Sequence, residues 1–165
     1  DWETKSVNYI AGTPYIGVNP RFKPATADGH AGEFMAWDPI GRRKVWTIPE
    51  RWPVWSGAAA TAGGVVFYGN LEGWFKAVDA RTGTVLWQFK TASGIVGQPT
   101  TWRGPDGRQY VSVLSGIGGW AGAVVSSQLD TRDPTAAKGF GNMTAELKKQ
   151  SAIGGMLYVF ALPNG

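Results

Sequence analysis

Two stretches of the 165-residue chain place residues where they could do chemistry. The first, "SGIGGWAGAVV" at 115–125, sets Gly116, Gly118 and Ala121 in G-x-G-x-x-A spacing. In a dinucleotide-binding turn such glycines let the backbone approach a pyrophosphate at a helix N-terminus. That use requires a helix after the turn inside a βαβ unit, and "GAVVSSQLDTRDPT" has no helical period, so the glycines need another explanation. The second stretch, "RWPVWSGAAATAGG" at 51–64, sets Trp55 immediately before a run of small residues. Its indole either points into an axial channel or packs between sheets as an interface tryptophan. His30 stands alone in "TADGHAGE", without a partner for a triad or a metal site. Asp130 and Asp133 in "LDTRDP", like Asp1 and Glu3, read as turn and surface carboxylates rather than an acid–base pair. With no cysteine, the chain has neither disulfides nor thiolate metal ligands.

The elements that must position these residues are strands. "VVFYG" (65–69), "WFKAVD" (74–79), "TVLWQF" (84–89), "QPTTW" (98–102) and "QYVSVLS" (109–115) are short and rich in β-branched and aromatic residues. Between them, "NLEG", "DARTG" and "RGPDGR" supply the Gly, Asn, Asp and Pro that tight hairpins require, which predicts antiparallel neighbours. Only "NMTAELKKQ" (142–150) reads as a helix, with Met143 and Leu147 four apart and two lysines in its last turn. Twenty-four glycines and nine tryptophans suit an all-β chain of many turns with large flat rings to bury.

A repeat organises the strands. "AWDPIGRRKVW" (36–46) and "AVDARTGTVLW" (77–87) align so that Ala36, Asp38 and Trp46 match Ala77, Asp79 and Trp87, 41 positions apart. This is the period of a four-stranded propeller blade. The motif describes a hairpin between the two outer strands of a blade. Ala packs against the next blade, Asp and Thr bond to the turn backbone, Gly takes the left-handed position, and Trp is buried at the blade interface. Gly41 and Arg42 replace the Thr–Gly pair in the upstream copy, so that turn is expected to differ in detail. A weaker third echo, "YVFALPNG" (158–165), places Ala161 as Ala77 is placed, with 116–154 as a long insertion within the last blade.

Composition narrows the partners. The net charge of +4 comes from scattered residues, with "RRK" (42–44) and "KK" (148–149) as the only clusters, and "RRK" reads as a solvated turn tip rather than a nucleic-acid surface. No stretch approaches the roughly eighteen apolar residues of a membrane span, and "DWETKSVNYI" is not a signal peptide.

Longer stretches carry a resemblance. "AGTPYIGVN", "GEFMAWDP", "PVWSGAAATAGGVVFYGNLEGWFKAVDARTGTVLWQFKT", "SGIVGQPTTWRGPDGRQYVSVLSGIGGWAG" and "GGMLYVFALP" together resemble the pyrroloquinoline-quinone (PQQ) alcohol dehydrogenases. The likeness is greatest to the methanol dehydrogenases, and "GEFMAWDP" and "GQP" look most like their lanthanide-dependent branch. The resemblance covers essentially the whole chain and implies that residues 1–165 form a C-terminal segment of an eight-bladed β-propeller, joined to the remainder of the same polypeptide. It also implies that the last blade takes its outer strand from an N-terminal region, which would leave "YVFALP" as a sheet edge.

By the same resemblance, the cofactor is PQQ, and Trp55, Gly119 and Trp120 contact it. "GGW" lets the backbone come close to the quinone's edge while its Trp forms part of the pocket. A lanthanide ion, or alternatively calcium, would be held by ligands outside this chain, as would the catalytic base. The implied reaction is oxidation of methanol or other primary alcohols in the periplasm, with cytochrome c as electron acceptor and a homodimer as one possible assembly. The alternative from a different class is a noncatalytic propeller scaffold that binds other proteins. "VWSGA" and "SGIGGW" favour the enzyme, because a scaffold has no need of an axial Trp and Gly at both places.

Overall fold

The computed structural model describes residues 2–3, 19–20, 27–119 and 147–161. Its strands are β1 (Trp2–Glu3), β2 (Asn19–Pro20), β3 (Gly32–Asp38), β4 (Arg43–Glu50), β5 (Ala58–Ala60), β6 (Val65–Gly69), β7 (Trp74–Asp79), β8 (Val85–Lys90), β9 (Thr100–Arg103), β10 (Gln109–Ser115) and β11 (Met156–Ala161). All the pairings are antiparallel. The glycine turns connect neighbours, so β5–β6–β7–β8 is a four-stranded meander in chain order, one complete blade. On one side of it lies the β3–β4 hairpin, and on the other the three-stranded sheet β9–β10–β11. Among the described residues β11 pairs in that sheet with β10 alone, and it exposes Met156, Leu157 and Val159.

The repeated motif has the same register in both copies. Ala36 pairs with Trp46 and Ala77 with Trp87, and in each hairpin the ladder slips immediately after the alanine. In each turn one carboxylate oxygen accepts two backbone N–H groups. Asp38 Oδ1 takes those of Ile40 and Gly41 at 3.0 Å, and Asp79 Oδ1 takes those of Arg81 and Thr82 at 2.9 Å. As expected, the upstream turn differs in detail, since in the downstream one the Thr82 hydroxyl also bonds to Asp79 Oδ1 at 3.1 Å and to Thr84 Oγ1 at 2.9 Å, but the left-handed backbone position is shared. Arg42 adopts φ 53°, the left-handed conformation that Gly83 holds at φ 74°. The Asp cap and the register fix that conformation, and a Cβ raises its energy without forbidding it.

Burial of the two tryptophans, however, differs. Trp46 is half-buried, donates its indole N–H to the Ala80 carbonyl at 3.0 Å, and lies against Gly83, where a Cβ would come within 2.7 Å of the ring. Trp87, equivalent in register, remains 40% exposed. The residues after Ala161 lie outside the described ones.

The main core lies between the complete blade and the β9–β10–β11 sheet. Phe67, Phe75, Ala77, Ile95, Val111 and Val113 are buried there, with Val65, Tyr158 and Phe160 packed on them. Gly69 is required by this contact, since a Cβ on it would fall 2.3 Å from Ile95 Cγ2. Of the helix expected at 142–150, residues 142–146 lie outside the described residues, and Leu147–Lys149 form a 3-10 turn. Its first residue is fully buried, and its carbonyl accepts the N–H groups of Gln150 and Ser151.

Candidate functional site

In a meander, the start of one strand and the end of the next share one end of the sheet. The entry to β5, the exits of β6 and β8, the entry to β9 and the exit of β10 therefore gather at one end of the two sheets. Backbone bonds join them: the Ile95 N–H donates to the Asn70 carbonyl at 2.9 Å, and the Gly116 N–H to the Gly94 carbonyl at 2.8 Å. Both candidate stretches of the sequence arrive here.

Trp55 precedes β5. The adjacent Ser56 hydroxyl donates to the Gly69 carbonyl at 2.8 Å and accepts the Gly69 N–H at 2.9 Å, which pins the segment to the end of β6. Trp55 is half-buried and packs, with Val96, against a cluster of Trp52, Leu71, Ile117 and Leu147. Ile117 is the link to the second stretch, because Gly118 and Gly119 follow it directly. Gly119 is exposed at φ 55°, and no described atom lies within 4 Å of where its Cβ, or that of Gly118, would be. Trp120, and with it Asp130 and Asp133, lies outside the described residues. The dinucleotide alternative meets a direct obstacle, since β10 pairs antiparallel with both neighbours where a βαβ unit needs a parallel pair. His30 sits in the loop before β3 with its Nδ1 2.9 Å from Asp28 Oδ1, away from both stretches in the chain.

Two polar networks at this end were not singled out by the sequence. The Glu50 carboxylate, buried at the end of β4, accepts from the Tyr68 hydroxyl at 2.6 Å, Asn70 Nδ2 at 2.8 Å and Lys76 Nζ at 2.6 Å. Burial first, and then the hydrogen bond to Glu50, push the Tyr68 hydroxyl pKa up well beyond the tyrosine range, so it stays a proton donor. Phe34 stacks on Tyr68 at 3.8 Å, so this network ties the β3–β4 hairpin to the complete blade. The second network consists of the buried side chains of Thr91, Ser93, Ser115 and Ser151. The only sequence signal for either was a polar residue at the edge of an apolar run, which also describes an ordinary turn.

The set suits one wall of a flat aromatic ligand. It offers a half-buried indole, two adjacent glycines that no described side chain crowds, and a buried apolar cluster beside them. Trp52 adds a buried indole N–H with no hydrogen-bond partner among the described residues, a donor that an acceptor could satisfy. No group of three or more His, Cys, Asp or Glu side chains able to hold a metal ion is found among the described residues.

Comparison with known proteins agrees with this architecture. Residues 26–111 match the family model described as PQQ, glucose/ethanol/alcohol dehydrogenase, β-propeller domain. The chain is 47% identical over 166 residues to a lanthanide-dependent methanol dehydrogenase of Methylacidiphilum fumariolicum (strain SolV), covering 98% of this chain and 27% of that protein. It is 42% identical to subunit 1 of the methanol dehydrogenase [cytochrome c] of Paracoccus denitrificans, covering 98% of this chain and 26% of that one. Among solved structures, a europium-containing methanol dehydrogenase superposes with a TM-score of 0.73 at 50% identity, over 82% of this chain and 24% of the other. The chain thus spans about a quarter of the length of these relatives. With the motif register, the four-stranded meander and the family match in agreement, this chain belongs to the PQQ β-propeller family of glucose, ethanol and alcohol dehydrogenases.

Proposed function

We propose that the chain forms one wall of the PQQ site in a quinoprotein dehydrogenase that oxidises methanol or other primary alcohols to aldehydes. The observation that carries this reading is the convergence of Trp55 and the Gly118–Gly119 segment on one apolar cluster at one end of two adjacent sheets. Trp55 would offer its ring to the planar quinone, Gly119 would let the backbone approach the quinone's edge, and Trp120 would extend the same wall. The cluster of Trp52, Leu71, Ile117 and Leu147 supports that wall and keeps water from its back. When bound, PQQ supplies the two-electron acceptor that alcohol oxidation needs and that no amino-acid side chain provides.

The metal is taken to be a lanthanide ion, or alternatively calcium, from the likeness to lanthanide-dependent relatives, with its ligands outside this chain. No residue of this chain is assigned as the base. Cytochrome c as electron acceptor rests on the name of the Paracoccus relative. A periplasmic location, a homodimeric assembly and the reading of 116–154 as an insertion in the last of eight blades belong to the same proposal.

Titrating the full-length gene product with PQQ and a lanthanide or calcium ion, while following alcohol-dependent dye reduction, tests the reading. Saturable, quinone-dependent turnover of methanol or another primary alcohol is expected. A product that neither binds PQQ nor reduces the dye would be a scaffold instead.

A further inference from the structure

The hydroxyl network of Thr91, Ser93, Ser115 and Ser151 lies directly behind the glycine segment of the site and belongs to no blade motif. It joins three segments that are distant in sequence. Ser93 Oγ accepts the Ile117 N–H at 3.2 Å and donates to the Ala152 carbonyl at 2.5 Å. Ser115 Oγ lies 2.9 Å from both Thr91 Oγ1 and the Ser93 carbonyl, and it accepts the Ser93 N–H at 3.3 Å. Ser151 Oγ accepts the Gly94 N–H at 2.6 Å, while Thr91 Oγ1 is 2.8 Å from the Gly73 carbonyl. Ser93, Ser115 and Ser151 are all at least nine-tenths buried.

Within this network the Ile117 N–H is satisfied only by Ser93. Beyond Ile117 the chain becomes two glycines in succession, the residues with the greatest backbone freedom, at the place where a cofactor wall must be held still. Side-chain anchoring immediately before them is what a precise wall needs. We infer that Ser93, locked by Ser115 and Thr91, is a positioning residue that fixes the Gly118–Gly119 backbone, and through Ile117 the Trp55 face, in the geometry that receives the quinone. This rests on the PQQ reading above. Ser93 does not touch the ligand; it acts through Ile117.

The test compares Ser93→Ala with Ser112→Ala in the full-length, cofactor-free protein. Ser112 is also buried and also makes a side-chain hydrogen bond, to Thr100 at 3.2 Å, but it lies midway along β10. PQQ affinity is read by fluorescence titration, and backbone order by amide hydrogen exchange over residues 116–119. Ser93→Ala is expected to weaken PQQ binding about tenfold, as loss of one buried hydrogen bond allows, and to speed exchange at Ile117. Ser112→Ala is expected to change neither, and Ser93→Thr, which keeps the hydroxyl, should restore affinity. Unchanged affinity in Ser93→Ala, or equal weakening in Ser112→Ala, would overturn the inference while leaving the PQQ reading standing. Failure of the parent protein to bind PQQ would instead defeat that reading, and the inference with it.

Discussion

The two sides of the complete blade are built from the same hairpin motif and differ in what the motif's tryptophan meets. On the β3–β4 side, Trp46 bonds to Ala80 and covers Gly83, and the Glu50 network locks the interface from the other end. On the β9–β11 side, Trp87 lines an apolar cleft of about 650 Å³ with Phe67, Val111 and Phe160, and it keeps two-fifths of its surface exposed. Register and turn are local properties that the motif determines within one hairpin. Docking is a property of two hairpins, and it requires the next blade's turn to be in place.

The largest effect should come from the buried carboxylate that, among the described residues, belongs to the first interface alone. Glu50→Ala leaves Lys76, Asn70 and the Tyr68 hydroxyl without their shared acceptor and is expected to cost about 3–5 kcal/mol in urea unfolding. Next come the paired tryptophans. Trp46→Ala should cost about 3 kcal/mol in the 165-residue chain and Trp87→Ala about half of that, because a ring that keeps solvent contact has less transfer energy to lose. Equal losses would show that the second interface is as complete as the first.

A smaller pair of changes compares the turns themselves. Gly83→Ala puts a Cβ against the Trp46 ring at positive φ and should destabilise by about 2 kcal/mol. Arg42→Gly relieves the same conformation in the other hairpin and should stabilise by at most about 1 kcal/mol, partly offset by the freer unfolded chain. The smallest effect is electrostatic. The backbone N–H groups of Arg81 and Thr82 hold the Asp79 carboxyl below the usual carboxylate range. The unfolded chain therefore takes up that proton first. The turn's contribution is complete above the ordinary Asp pKa and is lost as pH falls toward the lower, folded value. Asp79→Asn should remove that part of the acid sensitivity in pH-dependent unfolding.

Strand order and hairpin register were legible in the sequence because both are local. The strands at 65–69, 74–79 and 109–115 have the bounds that their apolar runs indicate. The one expected at 84–89 begins a residue later, since Thr84 closes the turn through its carbonyl to the Asp79 N–H. Arg42 hid the left-handed backbone position that the two turns share, because side-chain identity there does not reveal its φ. At the site, Trp55 stood out beside its small neighbours. The Glu50 and Ser93 networks did not, because a serine or glutamate at a strand end looks the same whether it meets water or three buried partners.

In the proposed site Trp55 serves a bound quinone, whereas Trp46 serves the blade interface. PQQ affinity of the full-length, cofactor-free protein, compared between Trp55→Ala and Trp46→Ala alongside their unfolding midpoints, tests it most directly. Cofactor-free protein is needed because bound ligand itself raises apparent stability. Trp55→Ala is expected to weaken PQQ binding by about tenfold or more while lowering the midpoint less than Trp46→Ala does. Parental PQQ affinity in Trp55→Ala, with a midpoint lowered as far as in Trp46→Ala, would contradict it and make Trp55 another packing residue of the blades.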